Sequence, residues 1–199
     1  MRAVITFHHL GDEGGPLAFP PRSFDAMLRA FADARLPVVD LDTLLAPGTH
    51  RGVALVFDDG WRSLLTAALP ALQASGARAH LFLCTGVVMG DVAAGARMPG
   101  FPPMDWTDVE RLHRLGVAVE SHTHSHPDLR GLDDASIVAE CERADALIER
   151  RLGRRPRYFA YPAGWHDARV RRVVGPRYSA AFTTRLAMLR DRDDRHALP

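Results

Sequence analysis

Short apolar, β-prone runs that alternate with helix-like segments limit the folds open to this chain more than any other feature of its sequence. Most of the segments between these runs space their apolar residues as a surface helix does. We predict seven strands, at Val4–His8, Leu36–Leu41, Val53–Phe57, Ala79–Thr85, Val117–Ser121, Tyr158–Tyr161 and Ser179–Thr183. Strands that alternate with helices favour a parallel sheet covered by helices, either closed as a barrel or doubly wound.

Local signals mark where the helices begin and end. Thr107 and Glu110 have the spacing of a capping box, and Gly116 follows as a C-terminal stop. The segment after Asp133 ends at Gly153. Its buried face is predicted to carry Ile137, Cys141, Ala144, Ile148 and Leu152.

Two segments interrupt the alternation. Pro70 falls inside the otherwise helical "RSLLTAALPALQASG", so we expect a kink or two short pieces there. The stretch Gly86–Pro103 is rich in Gly, Pro and Met. It is predicted to form a long loop of the kind that shapes a binding cleft.

Composition predicts one globular domain over residues 1–199, because 47% hydrophobic residues can build a substantial core. The formal net charge is +1 and no long basic run is present, so we expect no nucleic-acid partner. All 25 basic residues are Arg, which excludes lysine nucleophiles, Schiff bases and the P-loop lysine. Cys84 and Cys141 are too far apart for a metal knuckle and are predicted to lie in the core.

The amino-terminal stretch "RAVITFHHLGDE" lacks the apolar core of a signal peptide. No apolar run approaches the length that spans a membrane. We therefore expect a cytoplasmic protein with no membrane partner, and the sequence leaves the oligomeric state open.

Polar residues follow several predicted strands directly, and the carboxyl ends of parallel strands line the site in such folds. Imidazoles and carboxylates dominate this set: His8 and His9, Asp58 and Asp59, His122 to His126, and Tyr161 with Pro162. Three such ligands with one open position are what a catalytic zinc-type site needs, since the open position holds a water.

The segment "ESHTHSHPDL" offers three histidines. His122 and His126, four residues apart, would share one face of a single helical turn, which Pro127 and the end of the apolar run favour. We assign these two as metal ligands and leave His124 outside the set, as a hydrogen-bond donor behind the ligands or facing solvent. One carboxylate of the acidic pair then completes the ligand set, and the other acts as general base.

These residues resemble a known family. "FDDG" at 57–60, "HTHSH" at 122–126 and "FAYPAG" at 159–164 look like the motifs of the polysaccharide deacetylases of the NodB-homology type, carbohydrate esterase family four. "WTDVERLHRLGVAVESHTHSHPDL" and "YSAAFTT" are also similar to the family, so the resemblance runs from Val4 to about Thr184.

The resemblance implies a single-domain α/β fold, a distorted and incomplete (β/α) barrel, that hydrolyses acetyl groups on sugars with a divalent metal, most often zinc. It implies that Asp58 is the base and that Asp59 is a metal ligand with His122 and His126. The groove would be lined by Tyr161 and Pro162.

Further roles follow as expectations from this mechanism. A water activated by Asp58 attacks the acetyl carbonyl, and a backbone N–H near Trp61 stabilises the oxyanion. The Trp61 ring either stacks on a sugar or packs in the core, and His8 is expected to face the cleft.

The chain departs from the family pattern at two places. Ala160 stands where many members carry an Arg that positions the base, and no late Leu-x-x-His motif supplies the general acid. The acid is therefore open between His8, His9 and His196, and His196 is expected to lie in a solvated tail, 185–199, where relatives continue further. The remaining histidines are predicted to be structural: His50, His80, His113 and His166.

Three functions remain open. The first is a deacetylase of N-acetylated amino sugars in a poly- or oligosaccharide, and the second is a hydrolase of a small non-sugar amide or formamide. The third is a degenerate member that binds sugar without turnover, which Ala160 and the missing acid motif suggest. A wide groove with exposed aromatic rings would favour a polymer, and a closed pocket would favour a small molecule.

Overall fold

A parallel sheet of six strands forms the centre of the protein. The computed structural model describes residues 1–91 and 100–199. The sheet curves into a half-barrel. Its strands, in their spatial order across the sheet, are β1 (Arg2–Phe7), β4 (Gly52–Asp59), β5 (Ala79–Leu83), β6 (Ala118–Ser121), β7 (Tyr158–Ala160) and β8 (Ala180–Phe182). A separate pair, β2 (His9–Leu10) and β3 (Ala18–Phe19), is also parallel. The incomplete (β/α) barrel expected from the sequence is confirmed.

Helices follow most strands of the main sheet. The α-helices of the described part are α1 (Pro21–Asp33), α2 (Leu41–Leu44), α3 (Leu69–Ser75), α4 (Thr85–Val88), α5 (Trp106–Arg114), α6 (Asp134–Leu152) and α7 (Ala168–Val174). Shorter elements are a π-helix at Leu64–Ala68 and 3-10 turns at Leu129–Gly131, Pro162–Gly164 and Gly175–Arg177. None of the helices in residues 1–91 and 100–199 has the length and apolar character needed to cross a membrane.

Both faces of β4 are buried, as the continuous apolar run predicts for a strand in a covered parallel sheet. One face packs Val53, Leu55 and Phe57 against a core that includes residues of α1, α3 and α5. The opposite face places Ala54 and Val56 in a second cluster inside the half-barrel. Successive strand residues alternate between faces, so Asp58 belongs to the interior set.

One predicted strand is wrong. Leu36–Leu41 makes only an isolated bridge, in which Val38 pairs with Val53. Pro37 has no N–H to extend the pairing. The Asp40 side chain then accepts a hydrogen bond from the Thr43 N–H at 2.8 Å and starts α2.

The helix boundaries confirm some local signals and correct one. Pro70 lies at the start of α3, directly after the π-helix, so the segment is divided into two short pieces as expected. The capping box of α5 is formed by Asp105 and Asp108 rather than by Thr107 and Glu110. A carboxylate at 105 accepts from the N–H three residues later, so the helix begins earlier than predicted.

The segment predicted as one long loop, Gly86–Pro103, begins inside a helix. Thr85–Val88 forms α4, and the Met89 N–H donates to the Thr85 carbonyl at 3.2 Å at the end of this turn. Residues 92–99 of this segment lie outside the described part of the chain. Cys84 and Cys141 are both buried and unpaired, as predicted.

Residues 185–199 pack on the sheet instead of forming a solvated tail. Leu198 donates its N–H to the Ala181 carbonyl at 3.0 Å, beside β8. Leu189 donates its N–H to the Arg2 carbonyl at 2.9 Å, on β1. Both leucine side chains are buried in the interior cluster. The segment therefore contacts the two outermost strands of the main sheet, because the backbone groups at their free edges can still form hydrogen bonds.

Candidate metal centre

The acidic pair lies at the carboxyl end of β4, where the strand meets the open rim of the half-barrel. Asp58 continues the interior face of the strand and lines a small depression with Thr6, Phe82 and Thr184. Asp59 has a φ of 74°, in the left-handed region. This backbone conformation ends the alternation of the strand, so the two neighbouring carboxylates point to different partners.

The histidine segment after β6 is a bend and not the helical turn that the spacing suggested. Thr123 and His126 have φ values of 66° and 55°, which no helical turn contains. Side chains satisfy its N–H groups: the Thr123 hydroxyl accepts from His126 N–H at 3.1 Å, and Glu140 accepts from His124 and Ser125. Because these acceptors replace backbone carbonyls, the segment folds without helical hydrogen bonds.

Three ligand atoms nevertheless converge. His122 Nε2 lies 3.5 Å from Asp59 Oδ1, and His126 Nε2 lies 3.7 Å from the same oxygen. One nitrogen or oxygen from each residue falls within 4.8 Å of the others. Asp59 Oδ1 is buried and has no hydrogen-bond partner within the described residues. Two imidazoles and an orphaned carboxylate oxygen are a donor set that fits a divalent cation such as zinc.

Neighbouring groups hold two of these ligands in place. His122 Nδ1 donates to the Ala160 carbonyl at 2.8 Å, which leaves Nε2 free to face Asp59. The Trp61 indole N–H donates to Asp59 Oδ2 at 2.9 Å, which leaves Oδ1 for the shared point. The outward hydrogen bonds therefore select the atoms that converge.

Burial and the neighbouring charges shift the pKa values of the carboxylates and imidazoles in this site. Burial raises the pKa of Asp58 although His122 and His8 attract its charge. Burial also disfavours the charged form of Asp59, but the contact and charge of His122 lower its pKa overall. Burial and the neighbouring His122 lower the pKa of His126 to about 4, so this imidazole is neutral, as ligation requires.

His8 faces this site. Its Nε2 lies 4.0 Å from Asp58 Oδ2, and 24% of its side chain is exposed. His9 points elsewhere, since its ring stacks on Phe101 with centroids 4.0 Å apart and contacts Glu13. Of the two histidines at the end of β1, only His8 is placed beside Asp58.

Trp61 packs in the protein, which decides between the two expectations for its ring. The side chain is only 3% exposed and meets Phe101 edge-to-face at 5.6 Å. A buried ring offers no face to a sugar, so the stacking expectation is wrong for this residue. Its indole contributes to the site by the hydrogen bond to Asp59.

Tyr161 and Pro162 follow β7 and are both buried. Tyr161 lines the depression beside Asp58, but its hydroxyl donates to the His196 carbonyl at 2.9 Å. The His196 ring donates to the Tyr178 carbonyl at 3.0 Å and packs near Gly175. His196 is therefore tied to the back of β8 by these contacts and makes none with Asp58, within the residues that the structure describes.

Sequence reasoning missed Glu140, and the structure decides between the two expectations for His124. Glu140 lies on α6, and its carboxylate accepts from two backbone N–H groups and from the Ser125 hydroxyl at 2.7 Å. His124 is buried rather than facing solvent, with Nδ1 2.9 Å from the Thr85 hydroxyl. The sequence shows that Glu140 is a polar residue on a predicted helix. Only the fold shows that this part of α6 packs against the histidine segment.

Comparison with known proteins decides the family. The sequence profile of the family described as polysaccharide deacetylase matches residues 46–175, about two thirds of the chain. The chain belongs to the polysaccharide deacetylase family. This match spans the acidic pair, the histidine segment and the "FAYPAG" motif.

Individual relatives are consistent with this polysaccharide deacetylase assignment. A chitin deacetylase of Pestalotiopsis sp is 32% identical over 110 residues, which cover 55% of this chain and 33% of the relative. The putative polysaccharide deacetylase YxkH of Bacillus subtilis is 21% identical over 187 residues, 90% of this chain and 63% of the relative. The chain thus spans between a third and two thirds of these relatives.

The fold of this chain is shared with solved structures. The deacetylase PplD of Streptococcus pyogenes, solved in complex with acetate, superposes with a TM-score of 0.84 and 18% sequence identity. The superposition covers 99% of this chain and 88% of the other. The half-barrel is therefore the family's fold over nearly the whole length of the chain.

Proposed function

We propose that this chain is a metal-dependent hydrolase that removes acetyl groups from N-acetylated amino sugars in a poly- or oligosaccharide. The observation that carries the proposal is the convergence of Asp59, His122 and His126 with Asp58 beside them at the rim of the half-barrel. The family assignment supports the reaction class. Chitin deacetylases among the relatives support an acetylated sugar as substrate.

In this proposal Asp59, His122 and His126 hold the metal, most often zinc in sites of this composition. When bound, such a cation supplies Lewis acidity, which polarises the amide carbonyl and makes a coordinated water acidic near neutral pH. The ligand residues themselves bind and orient, and the hydrogen bonds from Trp61 and to Ala160 keep them aligned.

Asp58 is proposed as the general base. Its Oδ1 atom is buried without a hydrogen-bond partner among the described residues. The depression that it lines measures about 20 Å³, enough for one water molecule. Asp58 removes a proton from the attacking water.

The oxyanion that forms needs a hydrogen-bond donor, which we assign to the backbone N–H of Trp61. The N–H groups of its neighbours Gly60 and Arg62 already donate to the carbonyls of Asp58 and Pro102.

His8 is proposed as the proton donor to the leaving amine. It is the histidine beside Asp58 at the end of β1, and 24% of its side chain is exposed to solvent. Many family members position the base with an Arg where this chain has Ala160. In this chain His8 is a basic side chain that lies beside the base Asp58. Tyr161 and Pro162 form the adjoining wall.

The experiment measures bound metal together with acetate release from N-acetylglucosamine oligomers. We expect Asp58→Asn to keep the metal and to lower release by about 10²–10⁴-fold, because it removes only the base. Asp59→Ala should lose both metal and activity. The matched control is Asp12→Asn, on the loop between β2 and β3, which should retain both.

The same assay separates the alternatives. Metal with no release from any amide would leave a sugar-binding member without turnover, and release only from small amides or formamides would favour the small-substrate hydrolase. His8→Ala should slow release from amide substrates while sparing 4-nitrophenyl acetate, whose leaving group needs no proton. Equal losses on both substrates would exclude His8 as the donor.

A further inference from the structure

Trp165 differs from the other two tryptophans by its exposure. Trp61 and Trp106 are 3% and 9% exposed, whereas Trp165 is 50% exposed. Tryptophan is enriched at binding interfaces, because its indole combines a large flat apolar face with a polar N–H group. One face of a pyranose ring is apolar, and it stacks on an indole while the hydroxyl groups stay in water.

The backbone that carries Trp165 is tightly held. Ala163 and Gly164 have φ values of 52° and 72°, so the chain turns sharply after β7. A Cβ at Gly164 would lie 2.3 Å from the Thr184 hydroxyl oxygen, so only glycine permits this contact. Trp165 donates its N–H to the Pro162 carbonyl at 3.1 Å, which closes the turn.

The side chain of Arg130 packs over the Trp165 indole. The Arg130 guanidinium lies 5.1 Å from the centre of the Trp165 ring. Asp128 fixes this guanidinium with two hydrogen bonds, of 2.9 Å from Nε and 2.7 Å from Nη2. Arg169 donates to the Arg130 carbonyl at 3.0 Å, which holds the main chain as well. Arg130 therefore helps to hold the indole in position, and half of the Trp165 surface remains exposed before any ligand binds.

The two segments that form this platform both leave the candidate metal centre. Arg130 lies four residues after the ligand His126, and Trp165 lies four residues after Tyr161. Thr184, which packs on Gly164, lines the same depression as Asp58 and Tyr161. The platform therefore adjoins the rim at which the acetyl group is proposed to react.

We propose that Trp165, supported by Arg130, binds a sugar ring next to the one that is deacetylated, so that the substrate is an oligosaccharide or polysaccharide. This inference rests on the proposed function. The reacting acetyl group lies at the rim beside Asp58, and the neighbouring sugar ring of the substrate stacks on the indole. A small amide would have no part that reaches the platform.

The test compares oligomers of different length in the Asp58→Asn background, in which binding is measured without turnover. N-acetylchitobiose and penta-N-acetylchitopentaose are titrated by isothermal titration calorimetry, because a fluorescence signal from Trp165 would disappear in the Trp165→Ala variant. We expect Trp165→Ala to weaken pentamer binding about tenfold, the effect of one lost stacking contact. Dimer binding should change less than twofold, and Trp165→Phe should restore part of the pentamer affinity.

Leu115→Ala is the matched control, because Leu115 is 44% exposed and lies before β6, at the opposite end of that strand. Pentamer affinity unchanged by Trp165→Ala, or no pentamer binding by the parent protein, would overturn the subsite. Failure of the proposed function is distinguishable, since it would appear as absence of acetate release from the wild-type chain while Trp165-dependent binding persists.

Discussion

Single side chains determine the backbone of the histidine segment. Glu140 accepts three hydrogen bonds from it, from the N–H groups of His124 and Ser125 and from the Ser125 hydroxyl. These bonds hold a bend in which Thr123 and His126 adopt left-handed conformations. Without acceptors of this kind the buried N–H groups would favour another path of the chain.

Glu140→Gln should therefore weaken metal binding although Glu140 is not itself a proposed ligand. An amide has one oxygen where the carboxylate has two, so at least one of the three donors loses its acceptor. We expect about a 10–100-fold loss of affinity, measured by competition with a chelator of known affinity. Glu142→Gln is the control, since Glu142 lies on the same helix and its ion-pair partner among the described residues is the half-buried Arg177. Equal affinity of both variants would contradict the positioning role.

At the scale of elements, α6 carries Glu140 to the histidine segment, and local signals mark both of its ends. The Asp133 side chain accepts from the Ser136 N–H at 2.7 Å, and Gly153 ends the helix with a φ of 70°. Both signals are local in sequence, which is why the limits of α6 were predicted correctly. The role of α6 at the site was not predicted, because Glu140 acts through hydrogen bonds to residues that are distant in sequence.

Asp133→Ala should lower the melting temperature at neutral pH because the cap is lost. The hydrogen bond from Ser136 lowers the pKa of Asp133. Its stabilising effect is thus present above the ordinary aspartate pKa and disappears as the pH falls through the lowered value. Melting curves of wild type and variant should converge in acid. Ser136→Ala keeps the backbone donor and removes only the hydroxyl contact with Asp133, so it should show a smaller pH-dependent difference than Asp133→Ala.

At the scale of the whole molecule, residues 185–199 connect the two ends of an open sheet. Leu189 contacts β1 through its backbone, Leu198 contacts β8, and both side chains enter the interior cluster. An open half-barrel has two unpaired edges, and this segment partly covers both. It is a structural part of the domain described.

Leu198→Ala should reduce the free energy of unfolding by about 2–4 kcal/mol, because it empties a buried position. Leu186→Ala is the matched control in the same segment, since Leu186 is fully exposed; we expect a change within about 0.5 kcal/mol. Urea unfolding followed by circular dichroism measures both. A loss at Leu198 no larger than at Leu186 would show that the segment does not contribute to the core.

The sequence by itself determined the parallel α/β class, six of the strands and the strand ends at which Asp58, Asp59, His122 and His126 lie. Those features follow from the spacing of apolar residues and from the polar residues that come directly after each apolar run, and neither depends on tertiary contacts. The tertiary structure alone decided that Leu36–Leu41 is not a strand, that Trp61 is buried and that the histidine segment bends. These outcomes depend on acceptors and packing surfaces distant in sequence, and left-handed backbone at non-glycine residues forms only where such contacts outweigh its strain.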